Sequence, residues 1–330
     1  VRKSKKIVMN NIFYSPLRYP GGKNRLSKFI ARVCKDNEIN GHYIEPFAGG
    51  ASVALHLMVN NVVNRITIND YDKAIYAFWY SVINNAEDLC ELIMDRPVNL
   101  EVWHKCKNII DKKSEVFDLL ELGYATLFLN RTNYSGVIKG GITGGKAQSG
   151  RYKIDCRFNK DSIVEKIRKI GLYKDRITVM NMDAMKLINE IRCNDDTLFY
   201  FDPPYYNKGK CLYMNYFRHK DHRDLSRAIR GISKSKWIVS YDDTPEIVDI
   251  YRDVNRLSYS LSHNVNHPRM GKEVIFYSSN LFIGESKHPV TDCEELANQK
   301  RKTTGVPVAD PGALGNHLEN SGFPNFVEVV

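Results

Sequence analysis

The run Thr197-Leu198-Phe199-Tyr200-Phe201, followed by Asp202-Pro203-Pro204-Tyr205, decides the fold of this 330-residue chain. The continuous apolar run predicts a buried strand that delivers an acid and an aromatic ring into a cleft. The two prolines fix φ and remove two backbone donors, so nearby carbonyls stay free to accept hydrogen bonds. Such a corner suits a planar ligand with an amino group. The alternative is a Pro-Pro stop after a core strand, with Asp202 and Tyr205 only capping and packing.

Strands and helices alternate along the chain on both sides of this corner. The first block predicts strands near 43–47 and 66–68, with helices from Ser52 and over 73–84. The second predicts strands over 177–180, up to Asp202 and over 237–240, with helices near 184–191 and 222–232. This alternation predicts an α/β fold with a doubly wound, mostly parallel sheet in the order 3-2-1-4-5. Residues 257–262 and 273–279 predict an antiparallel edge hairpin.

Residues 85–174 interrupt this alternation. Helical segments such as 117–128 give way to the glycine-rich, basic run Lys139-Gly140-Gly141-Ile142-Thr143-Gly144-Gly145-Lys146. We therefore predict an inserted, mainly helical domain that divides the sheet domain into residues 1–84 and 175–284. The polar segment 285–330 is predicted to be a mobile tail.

Composition narrows the classes of function. The formal net charge of +10 favours a polyanionic partner, because clustered Lys and Arg release counterions from phosphates. Seven scattered cysteines without a Cys-x-x-Cys pair predict a reduced, cytoplasmic protein. The pairs His219/His222 and His263/His267 lack further ligands, so no metal site is expected. No stretch approaches the roughly 20 apolar residues that span a bilayer, and no signal-peptide apolar core follows the basic start.

A second constellation surrounds the first predicted strand. Glu45-Pro46-Phe47-Ala48-Gly49-Gly50-Ala51-Ser52 lies where this strand turns into a helix, whose N-terminus offers free N–H groups. Asp70 follows 21 positions after Gly49, near the spacing at which an acid meets ribose hydroxyls. The pair predicts a nucleoside-containing cofactor; the alternative is a tight turn with a solvated Asp. Upstream, Tyr19 offers a flat surface and Lys23 a point charge for a carboxylate, unless they form only an N-terminal turn.

Taken in order, five segments resemble the motifs of the Dam-like DNA N6-adenine methyltransferases, the alpha group or D12 class. The segments are Leu17 to Lys23, Glu45 to Val53, Asn69-Asp70, Asn130-Arg131-Thr132-Asn133-Tyr134-Ser135-Gly136 and Asp202 to Tyr205. The resemblance covers residues 13–280 and implies a methyltransferase Rossmann-like fold. It also implies S-adenosyl-L-methionine as the cofactor and the N6 amine of a flipped-out adenine in double-stranded DNA as the acceptor.

The resemblance also implies roles for individual residues. It places catalysis on Asp202, Pro203, Pro204 and Tyr205, with Asp202 and the Pro203 carbonyl accepting from the amine and Tyr205 stacking on the base. It places cofactor binding on Tyr19, Lys23, Phe47, Gly49, Asp70, Asp183 and Asp202. In the inserted domain we expect DNA binding by Arg131, Tyr134, Lys139 and Lys146. Two positions depart from the pattern: Ala51 replaces a glycine of some relatives, and Lys139 falls near an arginine with which Dam reads a base. The target sequence of this chain therefore cannot be assumed to be GATC.

Other functions remain open at this stage. A Pro-Pro-Tyr corner also suits methylation of RNA adenine, cytosine N4 or a protein glutamine, and a catalytically silent DNA-binding module would keep the same fold. For the leading hypothesis we expect a monomer that binds double-stranded DNA in the cytoplasm, on the nucleoid, and no membrane. A cognate restriction endonuclease would then be its functional partner.

Overall fold

The protein is described by a computed structural model that covers residues 15–19, 23–191, 194–207, 217–262 and 270–284. The basic start, residues 20–22, the pair His263/His267 and the tail 285–330 lie outside the described residues.

Seven strands of the described chain form one sheet in the order β3-β2-β1-β4-β5-β7-β6. The strands are β1 His42–Glu45, β2 Arg65–Asn69, β3 Ile177–Met180, β4 Thr197–Phe201, β5 Lys236–Asp242, β6 Asn255–Ser262 and β7 Met270–Tyr277. The first five run parallel, and β7 pairs antiparallel with both β5 and β6. The predicted fold class, strand order and edge hairpin are therefore confirmed.

Ten α-helices of the described chain surround the sheet or extend from it. They are α1 Ser27–Asp36, α2 Ser52–Val59, α3 Lys73–Asn84, α4 Ala86–Asp95, α5 Leu100–Asp111, α6 Leu119–Thr132, α7 Lys160–Gly171, α8 Ala184–Glu190, α9 His219–Arg230 and α10 Pro245–Ile250. None of them is both long and apolar enough to cross a bilayer.

Two helices begin elsewhere than the apolar pattern predicts, because capping side chains set their ends. The Asp221 carboxylate accepts from the Arg218 N–H at 2.7 Å and starts α9 at His219, three residues before the predicted start. Asp118 accepts from the N–H groups of Leu120 and Glu121. It therefore starts α6 at Leu119 and leaves Phe117 outside the helix, 94% exposed.

The central strand β4 is buried along its whole length, and its side chains alternate between two cores. Leu198 and Tyr200 belong to the core that includes residues of α1 to α7, whereas Phe199 and Phe201 belong to the core with α8, α9 and α10. Because cores cover both faces of β4, the side chains on both faces are apolar, and this explains the continuous apolar run.

The helices α4 to α7 pack onto the same core as the sheet. Helix α6 lies directly against α3: Thr126 Oγ1 donates to the Ala74 carbonyl at 3.1 Å, and Ser81 Oγ donates to the Leu119 carbonyl at 3.0 Å. A Cβ at Gly123 would lie 2.7 Å from the Ala77 carbonyl oxygen, so this glycine permits the close approach. The domain boundaries drawn at 84/85 and 174/175 stay a prediction.

Candidate active site

A cavity of about 720 Å³ opens where the parallel strands end at their carboxyl edge. Strands β1 and β4 are neighbours, with Ile44 paired to Phe199, so the segments that leave them enter the cavity side by side. Ligands of doubly wound sheets bind at such a switch point. The residues predicted from the sequence that line the cavity are Tyr19, Lys23, Phe47, Gly49, Asp70, Lys139, Asp183, Asp202 and Pro204.

The glycine loop between β1 and α2 is held in place by three distant residues. Gly49 has φ +45°, and a Cβ there would lie 2.6 Å from the Tyr19 ring. Its carbonyl accepts from Trp79 Nε1 at 2.8 Å, and its N–H donates to Asp70 Oδ2 at 3.0 Å. Ala51 also lies in the left-handed region, with φ +48°. An alanine there costs about 1–2 kcal/mol more than the glycine of some relatives.

Asp70 connects the ends of β1 and β2. Besides the Gly49 N–H, its carboxylate accepts from the Asp72 N–H at 2.9 Å through Oδ1. Burial raises the pKa of this carboxyl from 3.8 to about 7, although both backbone hydrogen bonds lower it. Next to it, Tyr71 lines the cavity with 63% of its surface exposed. This rim therefore offers an acid and an aromatic ring together.

Two further acids line the same cavity. Glu45 ends β1, is 4% exposed and accepts from the Ala54 N–H and the Tyr43 hydroxyl, each at 3.0 Å. Burial raises its pKa to about 8. Asp183 begins α8, where Oδ1 accepts from the N–H groups of Met185 and Lys186. With Asp70 and Asp202, these side chains give the cavity an acidic lining. Burial raises the pKa of Glu45 and Asp70, and a cationic ligand would favour their ionised forms.

The corner after β4 carries an ion-pair network. Asp202 Oδ1 accepts from Ser240 Oγ at 2.8 Å and lies 3.3 Å from Lys23 Nζ. The same ammonium donates to the Tyr205 hydroxyl and lies 4.5 Å from the centroid of the Tyr205 ring. Burial raises the pKa of Asp202, while Lys23 lowers it. Pro204 lines the cavity, whereas Tyr205 is only 8% exposed and packs behind it.

Glu273, on β7, is a member of this network that the sequence did not single out. It is 4% exposed; Oε2 lies 3.5 Å from Lys23 Nζ and accepts from the Tyr259 hydroxyl at 2.8 Å. One ammonium thus serves two buried carboxylates, and Glu273 raises the pKa of Asp202. A lone Glu in a predicted edge strand gives no sequence signal for such a contact.

Asp242, also missed, holds the chain that follows the corner. Its two oxygens accept from the N–H groups of Tyr206 at 2.9 Å and Asn207 at 3.1 Å. Like Asp202, it is an acid at the carboxyl end of a parallel strand. That position is the signal by which it could have been found.

The four residues predicted to bind DNA lie at different places. Lys139 lines the main cavity, Tyr134 lines a smaller neighbouring one, and Lys146 is exposed outside both. Arg131 is half-buried, its Nε has no hydrogen-bond partner among the residues that the structure describes, and burial lowers its pKa to about 10.

Two asparagines of the same motif brace this segment internally. Asn130 accepts from the Arg18 N–H at 2.7 Å and donates to the carbonyls of Arg18 and Gly136. Asn133 donates to the carbonyls of Val137 and Ile138 just before Lys139. Gly136 has φ +77°, and a Cβ there would lie 1.9 Å from the Arg18 carbonyl oxygen. The motif thus fixes the segment around Lys139 against the N-terminal residues 15–19.

Within the described ranges, no cluster of three or more His, Cys, Asp or Glu side chains could hold a metal ion. Four of the cysteines are described, and all four are free thiols: Cys34, Cys90, Cys106 and Cys156.

Comparison with known proteins gives matches to DNA methyltransferases. The family described as D12 class N6 adenine-specific DNA methyltransferase matches residues 19–264. The type II methyltransferase M.MjaIII of Methanocaldococcus jannaschii is 22% identical over 76% of this chain and 84% of its own. The type II methyltransferase M.CviBI of Paramecium bursaria Chlorella virus NC1A is 23% identical over 78% of this chain and 95% of its own. Among solved structures, the rRNA methyltransferase aviRa from Streptomyces viridochromogenes has a TM-score of 0.36 at 9% identity, covering 87% of this chain and 98% of that one.

Proposed function

Since the chain belongs to the D12 class N6 adenine-specific DNA methyltransferases, we propose that its Asp202 corner receives the adenine and its Gly49 and Asp70 loops hold the cofactor. The enzyme transfers a methyl group from S-adenosyl-L-methionine to the N6 amine of adenine in DNA. One observation carries the assignment of roles. Asp202 borders the same cavity as Gly49 and Asp70, and its bonds within the described chain all use Oδ1.

The lining of the cavity fits S-adenosyl-L-methionine. Asp70 lies where ribose hydroxyls are accepted in doubly wound sheets, and the acids Glu45 and Asp183 suit a ligand with an ammonium and a sulfonium charge. Tyr71 and Met185 offer apolar surface next to Asp183. When bound, this cofactor supplies an electrophilic methyl group. Lys23 is proposed to approach the carboxylate of the cofactor, although in this structure its ammonium lies between Asp202 and Glu273.

Asp202 is proposed to activate the acceptor amine. The lone pair of adenine N6 is delocalised into the ring, so the nitrogen is a poor nucleophile. An amine hydrogen donated to Asp202 Oδ2, and the other donated to the Pro203 carbonyl, would localise that pair on nitrogen. Ser240 and Lys23 hold Oδ1 and thereby fix the direction of Oδ2. Positioning and fixed charges then supply much of the rate enhancement.

The adenine is proposed to reach this corner by flipping out of the duplex. Its amine is inaccessible within stacked DNA, and extrusion costs a few kcal/mol that DNA contacts elsewhere offset. Stacking on Tyr205 stays a prediction: its ring is 8% exposed, lies behind the cavity lining and has Lys23 Nζ 4.5 Å from its centroid, so stacking would require these side chains to move as the base enters. Pro204 borders the cavity directly and is a second apolar surface for the base.

Residues 85–174 are proposed to recognise the target. Lys139 supports this because it lines the same cavity as Asp202, although it belongs to a segment far from it in sequence. A lysine donates as a point charge and lacks the bidentate fork with which an arginine reads guanine.

The partners and location predicted from the sequence are also proposals. We propose double-stranded DNA as substrate and a monomeric enzyme acting in the cytoplasm, where free thiols persist. The names of the relatives, type II methyltransferases, support a modification role beside a cognate restriction endonuclease.

Expression in a host that lacks DNA methylation, followed by direct sequencing of its DNA, tests the function and its site. We expect N6-methyladenine within one short sequence for the wild type. Asp202→Ala should reduce methylation at least about 100-fold and remain folded, because Lys23 keeps Glu273 as a partner. Methyl groups on another base would contradict the function, and near wild-type methylation by the folded variant would contradict the role of Asp202.

A further inference from the structure

A second cavity of about 230 Å³ lies beside the loop that precedes Lys139. It is lined by three arginines, Arg18, Arg151 and Arg157, together with the aromatic residues Tyr134 and Tyr152. Among the described residues, no Asp or Glu belongs to its lining. None of the three arginines forms an ion pair with a carboxylate in the described part of the chain. The described lining is therefore cationic, and the Cys156 thiol in it offsets this only in part by raising the pKa of Arg18.

The charges around this cavity repel one another. Burial lowers the pKa of Arg18, and the neighbouring Arg157 lowers it further. Arg131 lies behind them, and after burial the charges of Arg18 and Arg157 are the causes that lower its pKa. A protein that brings guanidiniums together in this way loses stability unless an anion occupies the space between them.

The surroundings favour a phosphate group of nucleic acid as that anion. Ser135 and Thr143 place hydroxyl groups in the lining, and Gly144 and Gly150 leave its floor free of side chains. The rings of Tyr134 and Tyr152 are 59% and 57% exposed at the rim. Guanidinium forks bind phosphate oxygens in bidentate geometry, and exposed aromatic rings suit the adjoining sugars and bases.

We propose that this cavity binds one backbone phosphate of the DNA substrate, held by the guanidiniums of Arg18 and Arg157. The proposal rests on the proposed function and adds to it a fixed binding point for the DNA backbone. This point is connected to the active site in two ways. Arg18 precedes Tyr19, which packs against Gly49, and the Asn130 side chain hydrogen-bonds both Arg18 and Gly136, just before the Lys139 segment. A phosphate held here positions the DNA relative to both the target-reading segment and the cofactor loop.

The test measures affinity for a DNA duplex as a function of salt concentration, without cofactor. Each phosphate contact contributes roughly 0.9 to the slope of log K against log salt. We expect Arg157→Gln to reduce that slope by about 0.9 and to weaken binding roughly eightfold at about 0.1 M salt. The loss should be equal for duplexes with and without the methylated sequence, because phosphates carry no sequence information. An unchanged slope would overturn the proposal.

Two further variants make the test specific. In the double variant Arg18→Gln/Arg157→Gln, the slope should also fall by about 0.9, no more than in Arg157→Gln alone, because the one phosphate is held only when both guanidiniums are present and its contact cannot be lost twice. A fall of about 1.8 would mean two separate phosphates and would contradict the proposal. Arg252→Gln is the matched control: this exposed arginine lies beyond α10, just before the start of β6 at the amino end of β5. Its loss should leave the slope and the methyl transfer unchanged.

The melting temperature distinguishes a phosphate-binding site from a cluster of arginines that only stabilises the fold. Arg157 is exposed, so its replacement should fold, and relief of repulsion should leave the melting temperature equal to or above that of the wild type. A lower melting temperature with unchanged DNA affinity would show a structural role only. Failure of the proposed function is distinguishable, because it would appear as absent adenine methylation by the wild type, whatever the salt slopes show.

Discussion

Replacing Glu273 with glutamine removes one negative charge near Asp202 and so measures the electrostatic effect of Glu273 on the pKa of Asp202. The substitution keeps the shape of the side chain, and the amide oxygen can still accept from Tyr259. Lys23 then pairs with Asp202 alone. Because Glu273 raises the pKa of Asp202, its neutral replacement should lower that pKa. In the proposed mechanism methyl transfer requires the ionised carboxylate, so it should then persist to more acidic pH.

The size of this effect follows from the geometry. Asp202 Oδ1 and Glu273 Oε2 lie 3.3 and 3.5 Å from the same nitrogen, so they are at most about 6.8 Å apart. At an effective dielectric constant of about 20, two unit charges at that distance repel by roughly 2.4 kcal/mol. Their side chains are 19% and 5% exposed, so water screens this repulsion only in part. We therefore expect the acid limb of the pH–rate profile to move by about one to two pH units.

The assay is the single-turnover rate of methyl transfer across the acidic and neutral range, which excludes product release. Glu246→Gln is the control, since this glutamate is exposed on α10 and its loss makes the same chemical change. Tyr259→Phe removes a hydrogen bond to Glu273 but keeps its charge, so its profile should stay near that of the wild type. An acid limb at the wild-type pH in a folded Glu273→Gln enzyme would refute the electrostatic role.

Three other predictions concern Asp70, the Gly49 loop and Lys139. The pKa of Asp70 rises from 3.8 to about 7 on folding, so the folded protein binds more protons than the unfolded chain between these values. Its free energy of unfolding should therefore fall as pH rises through that window, and Asp70→Asn should flatten the dependence in chemical denaturation. Gly49→Ala places a methyl group 2.6 Å from the Tyr19 ring at φ +45°, and should weaken cofactor binding about tenfold or more by calorimetry. Gly171→Ala, whose Cβ meets only Ala86 at 3.8 Å, should not. Lys139→Ala should weaken DNA binding and relax the choice of target while leaving the melting temperature within about 1 °C of the wild type; unchanged affinity and target would exclude Lys139 from recognition.

Local patterns made most of the architecture predictable. The strand Ile177–Met180 and the helix Lys73–Asn84 have the predicted bounds. In the helix the cap agrees with the periodicity, because Asp72 accepts from the Ala74 N–H at 2.9 Å directly before the first residue of the pattern. The starts of α6 and α9 differ from the predicted ones because a capping carboxylate sets each start, with two hydrogen bonds in α6 and one in α9, and leaves no mark on periodicity.

Only some residues of the candidate site could be predicted from the sequence. The Gly49 loop and Asp70 were identifiable, since a strand-to-helix turn and an acid about 20 residues later form a local spacing pattern. Glu273 was not, because its partner Lys23 is far from it in the chain and no sequence spacing relates the two. Asp242 was missed although its place at the carboxyl end of β5 marks it as a candidate.

By itself, the sequence determined the parallel sheet, its strand order and the corner Asp202 to Tyr205, because buried strands, prolines and glycines act on the backbone next to them. Only the tertiary structure decided what surrounds that corner: that Lys23, 182 positions before Tyr205, lies over its ring between two carboxylates. It also decided that Arg18 and Arg157 share one cavity. Electrostatic contacts depend on distance in space, and packing brings together charges that the chain keeps far apart.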